Sequence, residues 1–276
     1  MGNGKQLRLR FWGVRGSIPV PAADYLDYGG NTPCIEINTG DGVIIIDAGT
    51  GIRRLGVKLQ EEAGGASLAL NLLLTHFHWD HIQGLPFFTP LYSAQNEVLF
   101  YAGYPPAKLR GILEGEMSTP YFPVNFEFLP ARRKFFDLNI RPLEIAGIAV
   151  HPFPMNHPQG ATGFRFEAGD KVIVHASDLE HGNAAFEQTL RKYAHSADLL
   201  IYDAQYTPEE YASKQGWGHS TWLEATRIAG ECQVKKLILF HHDPGHNDAM
   251  MQDIVAQART HFANTDAARD GMEINF

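Results

Sequence analysis

The chain has 276 residues, 44% of them hydrophobic, and a net charge of −8 that results from 23 basic and 31 acidic side chains. This length and hydrophobic fraction are enough for a large buried core. The acidic balance disfavours a nucleic-acid-binding protein, because affinity for the phosphate backbone normally depends on a basic face.

No linker, low-complexity tract or repeat divides the sequence, so we expect a single domain over residues 1–276. Residues 1–7 contain no apolar segment typical of a signal peptide, and no run approaches the roughly 18 apolar residues of a membrane span. The two cysteines, Cys34 and Cys232, lie in apolar segments, which predicts buried thiols rather than a disulfide framework. A cytoplasmic location is therefore expected.

Short apolar runs and amphipathic segments alternate along the chain and predict an α/β fold. The predicted strands span residues 7–12, 33–38, 43–47, 68–74, 97–101, 147–152, 162–167, 171–175, 198–202 and 236–240. The predicted helices span residues 50–62, 105–115, 184–194, 219–231 and 248–263. Continuous apolar runs such as 43–46 and 237–240 are typical of a sheet that packs against another layer.

The segment Thr-His-Phe-His-Trp-Asp-His at residues 75–81 directly follows the apolar run 68–74. Imidazole nitrogens and carboxylate oxygens are the ligands that zinc-class divalent ions prefer, and a loop at the end of a strand can direct several of them to one point. The segment therefore predicts a metal site made by His76, His78, Asp80 and His81. The alternative is a polar loop that happens to be rich in histidine.

The motif His-x-His-x-Asp-His resembles that of the metallo-β-lactamase fold superfamily. The resemblance implies a four-layer αβ/βα sandwich that binds two divalent ions, one through the first two histidines and one through the Asp-His pair. It further implies that His157, Asp178 and His241 complete the site, with Asp178 as the bridging ligand, and that Asp47 supports the ligands without being one. Such a pair of ions activates water for attack on a phosphoryl or carbonyl group, and Asp80 would also orient that water.

Two assignments at this site stay open. His241 follows Leu-Ile-Leu-Phe, as the ligand does in related phosphodiesterases, so His242 is interpreted as a residue behind the ligands or facing the substrate. Zinc suits the donor set, but manganese, iron or cobalt would fit the same atoms.

Three further segments resemble the phosphodiesterase branch of the superfamily, which includes ribonuclease Z, cyclic-nucleotide phosphodiesterases and phosphoribosyl cyclic phosphate phosphodiesterase. They are Phe-Trp-Gly-Val-Arg-Gly-Ser-Ile-Pro at 11–19, Tyr-Gly-Gly-Asn-Thr-Pro-Cys at 28–34 and Gly-His-Ser-Thr at 218–221. The resemblance makes His219 the candidate general acid and Asp203 its carboxylate partner. The alternatives are a histidine at the start of a helix capped by Ser220 or Thr221, and a helix-capping aspartate.

The substrate is expected to be small. Ribonuclease Z carries a tRNA-binding arm between the third ligand histidine and the bridging aspartate, whereas residues 157–178 here leave room only for a strand, a turn and a strand. Tyr121 or Phe122, in a segment 117–124 that could form a lid, are candidates for stacking on a base, with core packing as the alternative. Candidate phosphate or ribose contacts are Ser17, Asn31 and Thr32, with turn formation around Gly29 and Gly30 as their alternative.

The leading hypothesis is a dinuclear metal-dependent phosphodiesterase that opens a 3′,5′-cyclic nucleotide to the 5′-monophosphate. The alternatives are a phosphoribosyl 1,2-cyclic phosphate phosphodiesterase, an RNA 3′-processing nuclease and a non-catalytic metal-bound sensor. A stable nucleic-acid partner and a membrane partner are not expected. The resemblance implies a homodimer, with the segment 117–124 as a candidate contact between subunits.

Overall fold

The computed structural model describes residues 7–139 and 141–276. Most of the N-terminal segment 1–7, for which the sequence predicts no signal peptide, lies outside the described residues. A first sheet has the order β14-β1-β2-β3-β4-β5-β6, and its last four strands are parallel. Its strands are β1 Arg8–Gly13, β2 Cys34–Asn38, β3 Val43–Ile46, β4 Ala69–Leu73, β5 Glu97–Ala102, β6 Arg132–Asp137 and β14 Glu273–Asn275.

A second sheet has the order β13-β12-β11-β10-β9-β8-β7, with β10 to β13 parallel. Its strands are β7 Leu143–Ile145, β8 Ile148–Met155, β9 Ala161–Ala168, β10 Lys171–Ala176, β11 Leu199–Asp203, β12 Leu237–Phe240 and β13 Thr265–Ala267. Each sheet therefore combines a parallel half with antiparallel strands.

The helices are α1 Ile52–Ala63, α2 Trp79–Ile82, α3 Pro106–Glu116, α4 Ala184–Ala194, α5 Pro208–Tyr211, α6 Trp222–Glu231 and α7 Asp248–His261. The five longer helices cover the outer faces of the two sheets, and two single-turn helices, α2 and α5, lie in connecting loops. Side chains of Asn183, Thr221 and Asn247 cap α4, α6 and α7 by accepting hydrogen bonds from free backbone N–H groups. No helix in the described ranges is long and apolar enough to cross a membrane.

Three apolar clusters define four layers. One cluster lies between the sheets and contains Phe11 and Ile44 from the first sheet and Phe164 and Phe240 from the second. The other two join the outer face of each sheet to its helices, α1 and α3 on the first sheet and α4, α6 and α7 on the second. The αβ/βα sandwich expected from the resemblance is therefore confirmed.

The predicted strands and long helices are present, with two kinds of difference. The edge strands β6, β7, β13 and β14 were not predicted; β6, with the sequence Arg-Arg-Lys-Phe-Phe-Asp, lacks the apolar alternation of a half-buried strand. The helix predicted over 219–231 begins at Trp222, because the side chain of Thr221 caps it. His219 consequently lies in the loop before α6.

The packing between the sheets predicts a strong effect on stability. We expect Phe164→Ala to lower the free energy of unfolding by about 3–5 kcal/mol, because the substitution leaves a cavity in a fully buried layer. Urea unfolding followed by circular dichroism measures this change. Phe128→Ala is the control, since Phe128 is 71% exposed, and its effect should stay within about 0.5 kcal/mol. Equal losses for the two variants would contradict this account of the core.

Candidate metal centre

Seven predicted ligand side chains converge at one edge of the two sheets, and we call them the donor cluster: His76, His78, Asp80, His81, His157, Asp178 and His241. In a first set, formed by His76, His78 and His157, Nδ1 of His78 lies 3.1 Å from Nε2 of His157. The candidate ligand atoms of this set all lie within 4.8 Å of one another. Their spacing is compatible with one shared cation.

A second set is formed by Asp80, His81 and His241. Nε2 of His241 lies 3.2 Å from Oδ2 of Asp80 and 3.3 Å from Nε2 of His81. Asp178 lies between the sets, since its Oδ1 is 3.8 Å from Nε2 of His76 and 3.3 Å from Nε2 of His81. The arrangement offers two cation positions that share one carboxylate.

The chemistry of the donor cluster fits bound divalent ions. Nε2 of His76 is buried and has no hydrogen-bond partner among the described residues, which is costly unless a further group satisfies it. Burial and the neighbouring His81 hold the pKa of His76 well below its ordinary value. Its imidazole is therefore neutral near pH 7, and its lone pair is available to a metal.

The second ring nitrogen of each of four histidines is held by a hydrogen-bond partner. Oδ2 of Asp47 lies 2.8 Å from Nδ1 of His81, and the carbonyl oxygen of Gly218 lies 2.8 Å from Nδ1 of His157. Thr75 Oγ1 lies 3.0 Å from Nδ1 of His76, and Gln205 Oε1 lies 2.9 Å from Nδ1 of His241. These contacts leave all four Nε2 atoms facing the candidate cation positions, which is the usual arrangement around metal-binding histidines.

Gln205 was not among the residues singled out from the sequence. It follows β11 by two residues, and its amide oxygen reaches His241 beyond the end of the neighbouring strand β12. The sequence around Gln205 does not indicate that its side chain accepts a hydrogen bond from an imidazole far away in the chain. Only the pairing of β11 with β12 reveals this role.

Among the residues that form or support the donor cluster, three that follow strands have left-handed backbone conformations. Asp47, Asp178 and His241 have φ values of 63°, 62° and 61°, and each closely follows a buried strand. This conformation is uncommon for residues other than glycine, asparagine and aspartate. It turns the chain sharply at the strand end and brings each side chain to the same edge, so we interpret the strain as part of the construction of the site.

His219 and Asp203 form the predicted pair. Nδ1 of His219 lies 2.9 Å from Oδ2 of Asp203, which is fully buried at the end of β11. The backbone N–H groups of Asp178 and Ser220 also donate to Asp203. Because these contacts occupy both carboxylate oxygens, Asp203 is better suited to orienting His219 than to binding a metal.

An open cavity of about 410 Å³ lies over the donor cluster. His219 and Ser17 line it together with Trp79, which is 65% exposed. The backbone N–H of Ser17 donates to Oδ2 of Asp80 at 2.7 Å, so the opening loop is attached directly to the donor cluster. We call this space the cluster cavity.

Tyr121 and Phe122 do not line the cluster cavity. Tyr121 is 74% exposed, and Phe122 packs against Phe87 with ring centroids 5.7 Å apart. Residues 117–131 connect the end of α3 to the start of β6, at the opposite end of the parallel strands from His76. The interpretation of these two aromatic side chains as substrate contacts is therefore not retained.

Thr32 and His242 also lie away from the cluster cavity. Both are fully buried; Oγ1 of Thr32 accepts from the backbone of Thr50 at 2.8 Å, and Nε2 of His242 lies 2.9 Å from the carbonyl oxygen of Ala268. His242 cannot face the substrate in this arrangement. Between the neighbours His241 and His242, the geometry favours His241 as the ligand.

Of the predicted phosphate and ribose contacts, Ser17 lines the cluster cavity and Asn31 lines a separate, neighbouring cavity. Asn31 Nδ2 donates to Oδ2 of Asp270 at 2.7 Å. Asn31 is thus part of the same edge of the protein without reaching the donor cluster.

The Beta-lactamase superfamily domain profile matches residues 43–242 of this chain. Ribonuclease Z from Bradyrhizobium sp. (strain ORS 278) is 26% identical, with 95% of this chain and 97% of that protein covered. The metallo-beta-lactamase fold protein YhfI from Bacillus subtilis has a TM-score of 0.73 and 19% identity, with coverage of 99% of this chain and 100% of that chain. A diphosphatase from the PhnP family has a TM-score of 0.72 and 21% identity, with 98% of each chain covered.

The contact between Gln205 and His241 predicts a change in metal affinity. We expect the native chain to bind two equivalents of zinc, and Gln205→Leu to weaken the binding about 10–100-fold, because His241 loses the partner that orients it. Competition with a chromogenic chelator measures the affinity. Gln257→Leu, at an exposed position of α7, is the matched control. Unchanged affinity in Gln205→Leu would show that the contact does not orient the ligand.

Proposed function

Because this chain belongs to the beta-lactamase superfamily, we propose that it is a metal-dependent phosphoric diester hydrolase that opens a small cyclic phosphodiester, with a 3′,5′-cyclic nucleotide as the leading substrate. The observation that carries the proposal is the donor cluster with the His219–Asp203 pair beside it. The superfamily predicted from the sequence is confirmed, and relatives named ribonuclease Z support its phosphodiesterase branch.

Zinc is the metal we propose first, since the donor cluster consists of imidazoles and carboxylates. Divalent ions at the two positions would supply an activated water and polarise a phosphoryl oxygen near neutral pH. The chain's own contribution is to hold the donors at fixed spacing and to leave the cluster cavity open on one side. Asp80, fixed by Ser17, is in position to orient the attacking water.

His219 is the proposed general acid. Its Nδ1 is occupied by Asp203, so Nε2 is the atom that can deliver a proton to the leaving alkoxide. The buried Asp203 carboxylate orients the His219 ring through this contact, as a carboxylate partner does for a catalytic histidine. The position of His219 on the wall of the cluster cavity supports this role.

The connection between His157 and Asp178 supports a small substrate. It consists of β9 and β10 joined through a short turn, with Ala168 paired to Lys171. The structure describes no projecting arm in residues 157–178. This connection therefore provides little protein surface beyond the cluster cavity that could bind a large RNA.

A second candidate is RNA 3′ processing, favoured by the relatives named ribonuclease Z that match over nearly the whole chain. Those names run against the expectation that the protein has no stable nucleic-acid partner. The homodimer implied by the resemblance stays a prediction, and so does the cytoplasmic location.

A substrate panel separates these functions. We expect the zinc-loaded protein to hydrolyse cAMP or cGMP in preference to a ribosyl 1,2-cyclic phosphate and a precursor tRNA, each followed by chromatography of the products. Cleavage of precursor tRNA alone would replace the leading substrate with the second candidate. A protein that binds two metals and hydrolyses none of the four would contradict the leading substrate and the second candidate alike.

Replacement of the proposed acid gives a sharper test of mechanism. We expect His219→Ala to lower kcat about 10²–10⁴-fold with metal content unchanged, because the leaving alkoxide loses its proton donor. His195→Ala, at an exposed position, should retain the native rate. Native turnover in His219→Ala would remove this histidine from the mechanism.

A further inference from the structure

His219, the proposed general acid, is carried by a loop that has little support from the apolar core. The loop comprises residues 212–219, between α5 and α6, and we call it the acid loop; five of its eight residues are exposed. Gly216 and Gly218 have φ values of 85° and 89°, a conformation that glycine adopts more readily than other residues. A loop with few buried contacts keeps one conformation only if another part of the chain holds it.

The side chain of Glu180 holds the acid loop from outside. Its Oε1 accepts hydrogen bonds from the backbone N–H of Gly216 at 2.7 Å and from the hydroxyl of Tyr211, directly before the loop, at 2.9 Å. Its Oε2 accepts from the backbone N–H of Gly218 at 3.0 Å. Hydrogen bonds to a carboxylate are about twice as strong as those between neutral groups. One side chain therefore anchors the loop at its start and at both glycines.

The backbone of Glu180 is attached to segments that supply members of the donor cluster. Glu180 follows Asp178 by two residues. Its N–H donates to the carbonyl oxygen of Asn156 at 2.7 Å, and its carbonyl oxygen accepts from Nδ2 of Asn156 at 2.7 Å. Asn156 directly precedes His157 in the chain. The carboxylate that holds the acid loop is thus itself fixed relative to two predicted metal ligands.

Gly218 connects Glu180 to two functional side chains. Its carbonyl oxygen lies 2.8 Å from Nδ1 of His157, and the next residue in the chain is His219. A Cβ atom at Gly218 would lie 2.5 Å from Nδ1 of His157, so the backbone packs directly against this imidazole. Gly218 is buried, and without Glu180 its N–H would lose its acceptor, which is costly. Removal of the carboxylate should therefore displace the loop.

We propose that Glu180 is a positioning residue that holds the acid loop at a fixed place relative to the donor cluster. Through Gly218 it keeps a carbonyl oxygen on His157 and keeps His219 on the wall of the cluster cavity. Asp203 orients the ring of His219, whereas Glu180 sets the position of the backbone that carries this ring. The link to His219 rests on the proposed function, but the link to His157 does not.

Zinc binding tests the link to His157 without catalysis. We expect Glu180→Ala to weaken the binding of one of two zinc equivalents by about fivefold or more, because the Gly218 carbonyl no longer holds the second ring nitrogen of His157. Competition of the full chain with a chromogenic chelator measures both affinities. Glu209→Ala, at an exposed position of α5, is the matched control and should bind zinc as the native chain does. Native affinity for both equivalents in Glu180→Ala would overturn this link.

Kinetics test the link to His219. With zinc at a concentration that fills both positions in every variant, we expect Glu180→Ala to lower kcat about 10–100-fold and to change KM by less than about twofold, because the proton donor is displaced while the substrate still binds. Tyr211→Phe removes one of the three hydrogen bonds and should lower kcat less. A native kcat in Glu180→Ala would overturn this link. A fall in kcat matched by an equal rise in KM would show a general structural role and would also overturn it.

A conservative variant covers a failure of Glu180→Ala to fold. Glu180→Gln keeps the shape of the side chain but only one acceptor oxygen, so its kcat should still fall at least about threefold, and a native kcat would contradict the proposal.

The two measurements also separate this inference from the proposed function. If the native chain hydrolyses no phosphodiester, the proposed function is wrong, and the zinc affinity of Glu180→Ala alone decides whether Glu180 positions His157. If the native chain hydrolyses a phosphodiester and Glu180→Ala keeps the native kcat and zinc affinity, the function stands and the positioning role is wrong.

Discussion

The buried carboxylate of Asp178 is the constraint on which the arrangement of the site depends. Its Oδ1 lies 3.3 Å from Nε2 of both His81 and His241. Burial alone would raise the pKa of this carboxyl, but His241, His81 and His76 hold it well below its usual range. A buried charge requires compensating positive charge at short distance. Two sets of donors that share the Asp178 carboxylate meet this requirement best when they hold cations.

The fold brings the donors together because the parallel halves of both sheets end at one edge. Asp47 and His76 follow strands of the first sheet, whereas Asp178 and His241 follow strands of the second. The apolar layer between the sheets therefore sets the distance between the two halves of the donor cluster. Hydrogen bonds such as that from His241 to Gln205 then fix the individual rings. Stability of the sandwich and geometry of the site are consequently coupled.

The opening loop connects the donor cluster to both cavities. Ser17 is bonded to Asp80, Arg15 supports the turn at Gly29, and Asn31 is bonded to Asp270. Because Ser17 also lines the cluster cavity, a phosphodiester over the donors would lie against this loop. The same segment carried much of the resemblance to phosphodiesterases in the sequence, and the donor cluster alone would not distinguish among substrates.

The sequence by itself determined the superfamily, the side chains that meet in the donor cluster and most of the strands. These depend on local patterns, namely a spaced set of histidines after an apolar run and continuous apolar segments. Only the tertiary structure decided that Gln205 contacts His241, that Tyr121 does not line the cluster cavity and that Asn31 lines a neighbouring cavity. The edge strand β6 could likewise not be predicted from the sequence, because its side chains are largely charged and its pairing with β5 is a long-range contact. Such features depend on which segments meet across the sheets, and local residue patterns carry no information about that meeting.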